Sequence, residues 1–339
     1  MNEQDPVIAF LSRPESYGRP GEPVERIETH GSLIFLQADR AYKLKRAIAF
    51  AALDFLSLES REWACRRELW LNRRTAPELY LEVRSINRSA DERLAFNGSG
   101  AVLDWVVVMR RFPQDALFER MAMTGRLTPT QIERLGGEIA RFHAAAEITP
   151  CFGGAVGARR DLARNHRELM RYPALLDRQE VQALHRDARA TIDQLGELLE
   201  RRRREGRVRR GHGDLRLANI CLFQGRPRLF DCIEFSDPLA CIDVLYDLAF
   251  PLMDLQHHGL DELAALLLSS YLRHSDETAD CSPLPLFLSL RAATRCFTLA
   301  CSAQRHNEPG VIHQKREEAQ ALLKQARAYL LMNEPCRLA

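Results

Sequence analysis

The sequence predicts an α+β chain in two lobes, a small β-rich lobe over residues 1–110 and a larger helical lobe over 111–339. Three observations carry this. Short alternating or continuous apolar runs cluster before Arg110, apolar residues at helical spacing dominate after Pro113, and the two kinds of segment do not alternate. A doubly wound sheet would need them to alternate throughout.

The leader holds Pro6, Pro14, Pro20 and Pro23, so only a short helix around residues 7–11 is expected before ordered sheet begins at Val24. Residues 24–27, 32–37 and 40–45 read as three strands, with Ala38-Asp39 as a tight turn. Residues 47–55 are irregular. A helix starts near Ser57, with Glu59 in its first turn, and runs to about Thr75 before Pro77 stops it. Residues 79–86 and 103–109 complete a sheet of about five strands, with a turn at Asn97-Gly98-Ser99-Gly100. The unbroken apolar run Trp105 to Met109 belongs at the centre of that sheet. Beyond it, Thr128, Pro129 and Gln131 open a capped helix that ends near His143, a residue read as structural. Further helices are expected near 161–171, 178–204, 240–256, 260–273, 284–305 and 313–331.

At 339 residues with 46% hydrophobic and 28% charged side chains, the chain reads as an ordinary globular protein. Its polar start and the lack of a long uncharged apolar run predict a cytoplasmic protein with no membrane contact. Nine scattered cysteines without a Cys-x-x-Cys pair indicate neither zinc nor a disulfide framework, and several read as small core residues. The arginine run from 201 to 210 lacks interleaved aromatics and the net charge is only +2, which argues against nucleic acid.

The stretch from Gly211 to Phe235 carries the chemistry. His212, Asp214, Leu215 and Asn219 satisfy His-x-Asp-Leu-x-x-x-Asn, the catalytic-loop pattern of kinases. In it, the aspartate accepts the substrate hydroxyl proton and the asparagine binds magnesium. Gln224-Gly225-Arg226-Pro227 reads as a hairpin turn, after which Asp231 is placed as the second Mg²⁺ ligand. By position, the turn Thr29-His30-Gly31-Ser32 would meet nucleotide phosphates, although it lacks the full glycine-rich pattern. Lys43 and Lys45 share one strand face; matching Tyr-Lys-Leu-Lys to Val-Ala-Ile-Lys selects Lys45 as the phosphate lysine, with Lys43 in reserve. Glu62 and Glu68 are its candidate partners, and Met109, Arg110 and Arg111, with Phe112, form the hinge whose backbone would face adenine.

These residues resemble the aminoglycoside phosphotransferase and choline kinase superfamily, in which the loop reads His-Gly-Asp-Leu. Ser236-Asp237-Pro238 through Asp247-Leu248-Ala249 is similar to its Asp-Pro…Asp-Leu-Ala tail. The whole chain resembles bacterial kinase-like domains often fused to a P-loop ATP-binding domain. The resemblance implies a two-lobe protein-kinase-like fold, ATP and Mg²⁺ as cofactors and a small-molecule hydroxyl as acceptor. It also favours Glu68 as the partner of the lysine. No Gly-x-x-x-x-Gly-Lys-Ser/Thr occurs on this chain, so a P-loop partner would be a separate protein. Arg216 stands where many relatives have histidine, and the acceptor subsite has no readable motif. Asp237, Asp243, Asp247 and Asp254 are acidic candidates for an aminoglycoside pocket, with a structural or metal-adjacent role as the alternative. The alternative is a kinase-like nucleotide-binding or scaffold protein without turnover.

Overall fold

The computed structural model describes residues 3–50, 53–277, 281–304 and 308–332. Cys336 and the expected helix end at 305 lie outside them. The chain forms two compact units, one of Met1–Ala116 with Arg228–Asp237, the other of Leu117–Pro227 with Pro238–Ala339.

In the first unit, α1 (Asp5–Leu11) precedes β1 (Glu25–Glu28), β2 (Ser32–Gln37), β3 (Arg40–Lys45) and a short ribbon of β4 (Ala49–Phe50) and β5 (Leu53–Asp54). Then come α2 (Leu58–Asn72), β6 (Tyr80–Arg88), β7 (Leu94–Phe96) and β8 (Ala101–Arg110). Six strands make one antiparallel sheet in the order β1-β2-β3-β8-β6-β7. The strand beyond the expected five is β7, too short to announce itself beside Asp91-Glu92-Arg93. As its apolar run requires, β8 lies inside the sheet between β3 and β6.

Alternation along β3 positions the site. Tyr42 and Leu44 join Val7, Leu11, Phe35, Val106 and Val108 in one buried cluster, so Lys43 and Lys45 point to the opposite face. There α2 packs, started by the Ser57 hydroxyl accepting the Ser60 N–H at 3.0 Å.

Beyond β8 come α3 (Phe118–Met123), α4 (Pro129–Ala145), α5 (Gly154–Leu169), α6 (Arg178–Gln194) and α7 (Gly196–Arg204). The short strands β9 (Val208–Arg210), β10 (Ile220–Phe223) and β11 (Arg226–Leu229) follow, then α8 (Asp237–Ala240), β12 (Cys241–Asp243) and α9 (Val244–His257). The chain ends in α10 (Asp261–His274), α11 (Leu284–Ala303) and α12 (Pro309–Leu330). Thr128 and Gln131 form the expected capping box on α4. The hairpin turn falls at Gln224 and Gly225, both with positive φ (50° and 74°), the twist that a two-residue hairpin favours.

Three helix expectations change. The helix read over 178–204 is two, broken at Leu195, which ends the first and precedes Gly196 at the start of the second. That over 161–171 begins earlier, at Gly154, where the glycine-rich sequence reads as loop. The helix read over 240–256 gives up Cys241–Asp243 to an antiparallel pairing with β9, after which Asp243 caps α9 by accepting the Leu245 N–H at 2.9 Å. Contrary to the sequence reading, α11 is long and apolar enough to cross a membrane by composition. Yet 72% of its apolar window is buried within the fold, as in a core helix.

Candidate active site

In the first unit, two lysines and three carboxylates meet. Lys43 Nζ donates to Glu68 Oε1 at 2.8 Å and also contacts Asp231, while Lys45 bridges Glu68 and Glu234. Glu68 comes from α2, and Asp231 and Glu234 come from the segment that returns after β11. Both lysines and Glu68 are buried. Burial opposes their charges, but Asp231 and Glu68 outweigh it and raise Lys43 well above the ordinary lysine value. Burial likewise opposes ionisation of Glu68, and the two lysines hold it below its ordinary value. Glu234 is pushed up, by burial first and then by Glu68, against the pull of Lys45.

The returning segment is fixed by side chains of α2 and β6. Asn72 accepts the Cys232 N–H at 3.0 Å and donates to the Glu68 carbonyl at 2.9 Å, while the Tyr80 hydroxyl accepts the Asp231 N–H at 3.1 Å. Asp231 has φ of 62°, a left-handed conformation uncommon outside glycine. Such conformations persist where neighbours over-determine them, as these bonds do.

The turn at 29–31 is closed on itself. Thr29 accepts the Ser32 N–H and donates to the Ser32 carbonyl, each at 3.0 Å, and the Gly31 carbonyl accepts the Arg46 N–H at 2.9 Å. The half-buried His30 sits between them. At the hinge, Met109 is still within the β8 ladder, opposite Ala41 and Tyr80. The Arg110 and Arg111 N–H groups are taken by the Leu79 and Asp39 carbonyls at 2.8 and 2.9 Å, so neither N–H is available to adenine as the structure stands.

In the second unit, Asp214 lies on the loop after β9. Asn219 donates to the Asp214 carboxylate and carbonyl, both at 2.8 Å, and Arg216 Nε reaches both carboxylate oxygens at 3.1 and 3.3 Å. Burial opposes ionisation of Asp214, but Arg216, His212 and Arg291 hold its carboxyl below the ordinary value.

A frame absent from the sequence reading holds this loop. Asp247, fully buried on α9, accepts the His212 N–H at 2.6 Å and the Gly213 N–H at 3.0 Å, with His143 Nε2 at 3.3 Å. Burial would raise its carboxyl, yet His143, His212 and Arg291 lower it to about 2. Asp254 accepts the Leu217 N–H at 2.9 Å, and Arg291 donates to the Gly213 carbonyl at 3.1 Å while stacking 3.8 Å from the Tyr246 ring centre. Gly211 approaches so closely that a Cβ there would lie 2.5 Å from Asp247 Oδ2. His143 is structural as expected, its other nitrogen 3.0 Å from the Tyr271 hydroxyl.

The sequence profile of the phosphotransferase enzyme family matches residues 92–281. This chain belongs to that family. Uncharacterized proteins of Mycobacterium tuberculosis and Mycobacterium bovis are 32% identical to it over 275 residues, 79% of this chain. The chain spans about half, 53%, of the length of those relatives. Among solved structures, a choline/ethanolamine kinase family protein from Mesorhizobium loti is similar at a TM-score of 0.55 and 14% identity, covering 97% of this chain and 99% of that one. A choline kinase from Cryptosporidium parvum matches at a TM-score of 0.55 and 12% identity over 95% and 94% of the two chains. A thermostable mutant of the aminoglycoside phosphotransferase APH(4)-Ia matches at 0.54 and 15%, over 93% and 98%. At these identities the likeness establishes the kinase-like fold of this phosphotransferase-family chain.

Glu234 and Arg291 are residues that the sequence reading missed, and it named Asp247 and Asp254 without their bonds to the loop. The tail motif Asp247-Leu248-Ala249 was the available signal for one of them. Of the four acidic residues weighed for a polycationic acceptor, Asp247 and Asp254 hold the catalytic-type loop, and Asp243 caps α9 and pairs with Arg202 at 2.8 Å. Asp237 contacts Arg67.

Proposed function

We propose that this chain transfers the terminal phosphoryl group of ATP to a hydroxyl of a small molecule. The observation that carries the reading is the sharing of Lys43 between Glu68 and Asp231, because a kinase needs its phosphate lysine held by a helix glutamate close to the metal-binding aspartate. Lys43 is therefore our candidate for the phosphate contact, since Lys45, which also meets Glu68, takes the buried Glu234 as its second partner rather than Asp231.

The donor set suits Mg²⁺. Asp231 offers a hard carboxylate, and Asn219, whose NH₂ faces Asp214, offers its amide oxygen. Bound there, Mg²⁺ would neutralise charge on the ATP phosphates. Asp214, held ionised by its cationic neighbours, would accept a hydrogen bond from the acceptor hydroxyl and orient it, taking its proton as the bond to phosphorus forms. Arg216 would temper that basicity.

Since all four weighed acids are engaged in internal bonds, the reading favours a sugar or amino alcohol over a polycationic aminoglycoside. We keep a separate P-loop protein as a candidate partner and the cytoplasm as the expected compartment. The test is ADP release with Mg·ATP against sugars, amino alcohols and aminoglycosides, comparing the native chain with Asp231→Asn. Turnover that Asp231→Asn abolishes while its circular dichroism is unchanged supports the proposal. ATP binding without turnover on any acceptor would favour the scaffold alternative.

A further inference from the structure

Leu56, Trp63 and Trp70 recur every seven residues and are 55%, 49% and 61% exposed. Three of the eight exposed large hydrophobic side chains among the described residues thus fall within one 15-residue stretch. Seven residues make two helical turns, so Trp63 and Trp70 lie along one seam of α2, with Leu56 just before its start. The exposed Arg66 lies between the two tryptophans and Arg73 beyond, Arg66 bonded to Glu62 and Arg73 to the Tyr80 carbonyl through guanidinium edges that leave a face of each open. The opposite face of α2 is the buried one, carrying Ala64, Cys65, Glu68 and Leu71.

We propose that a second copy of this chain docks on the seam, α2 against α2, antiparallel about a two-fold axis near position 68. The sequence of the seam is self-complementary in that arrangement. Turned end for end, Trp63 faces Arg73 of the second copy and Arg66 faces its Trp70, and the symmetry repeats both contacts. All four are tryptophan–guanidinium stacks. A parallel, in-register pairing would instead set arginine against arginine.

The same chemistry already operates within the chain. The Arg67 guanidinium lies 4.8 Å from the Trp63 ring centre and that of Arg66 4.9 Å from Trp105. A guanidinium has two faces, so Arg66 can be sandwiched between Trp105 and the incoming tryptophan.

Full burial of a tryptophan hides about 150–250 Å². Two half-exposed tryptophans per copy, with the stems of the charged residues, bring the total for both copies to somewhat below about 1,000 Å², the size of a weak or transient interface. The dimer is accordingly weak. Its consequence falls on Glu68: a helix braced from outside keeps that carboxylate against Lys43.

The inference is independent of the proposed reaction and is tested on the full chain. Sedimentation velocity from about 1 to 200 μM should show a monomer–dimer equilibrium, and tryptophan emission should shift to the blue over the same range. Trp63→Ser/Trp70→Ser should be monomeric throughout with unchanged circular dichroism, and Trp70→Arg alone should weaken association at least 30-fold by opposing Arg66. A native chain that stays monomeric with constant emission at every concentration overturns the proposal and leaves the seam to a different protein. So does a dimer that persists in the double variant.

Discussion

Replacing Asp247 by asparagine tests the reasoning about the loop frame most directly. The native carboxylate takes two backbone N–H groups on separate oxygens, from His212 at 2.6 Å and Gly213 at 3.0 Å. An asparagine has one acceptor oxygen, so one of those N–H groups must face an NH₂ and lose its bond. A buried donor left unsatisfied costs about 1–3 kcal/mol. The charge term adds to this: a carboxyl lowered from 3.8 to about 2 is stabilised in its ionised form by about 2 kcal/mol. Asp247→Asn should therefore lose about 3–5 kcal/mol at neutral pH, measured by urea unfolding followed by circular dichroism. The sign with pH follows from the lowered value. The contribution is complete above the ordinary carboxyl range and is lost as pH falls through the folded value, so the gap should be flat from pH 7 to about pH 4 and narrow towards pH 2. A gap below about 1 kcal/mol at pH 7, or one that widens in acid, would refute the account.

Three further outcomes follow from the same geometry. Lys45→Met should cost about 3–5 kcal/mol in urea unfolding, because it strands the buried Glu234, whereas Lys43→Met should cost less, since its partner Asp231 is 43% exposed, but should abolish ADP release. The reverse pattern would return the phosphate role to Lys45. Gly211→Ala should lower turnover at least tenfold by pushing Asp247 off the loop, with little change in ATP affinity by calorimetry. Thr128→Ala, which removes one half of the α4 capping box, should lower the unfolding free energy measured in urea by about 1 kcal/mol and leave turnover unchanged.

What the sequence made legible was local. Period-two alternation placed Lys43 and Lys45 on one face, a Ser-capped helix with Glu68 followed, and the loop pattern named Asp214 and Asn219. The choice between the lysines was not legible, because it depends on which carboxylate each meets 188 or 189 residues away, and spacing along the chain carries no such information. Glu234 was overlooked for the same reason: it lies three residues past Asp231 in a run that matches no pattern, and its meaning comes from the burial of Lys45. Asp247 showed as part of a family-like tail but not as the acceptor for His212 and Gly213, a contact across 35 residues. Where local preference and tertiary pairing disagreed, at Cys241–Asp243, the pairing with β9 prevailed over a helix-like pattern.

The return of Arg228–Asp237 to the first unit orders events during synthesis. When Ala116 has been made, Lys43 and Lys45 have one common carboxylate, Glu68, and their other partners have not yet been translated. The 111 intervening residues take roughly 6–22 s at 5–20 residues per second. Over that interval the nascent sheet must keep two cations near its interior with one of their three carboxylates, so it cannot reach its final stability before the second unit is largely made. Cutting the chain at the end of the first run would fix that deficit permanently, and such a fragment should be soluble only as a partly folded species that recovers when the 228–237 peptide is supplied in trans.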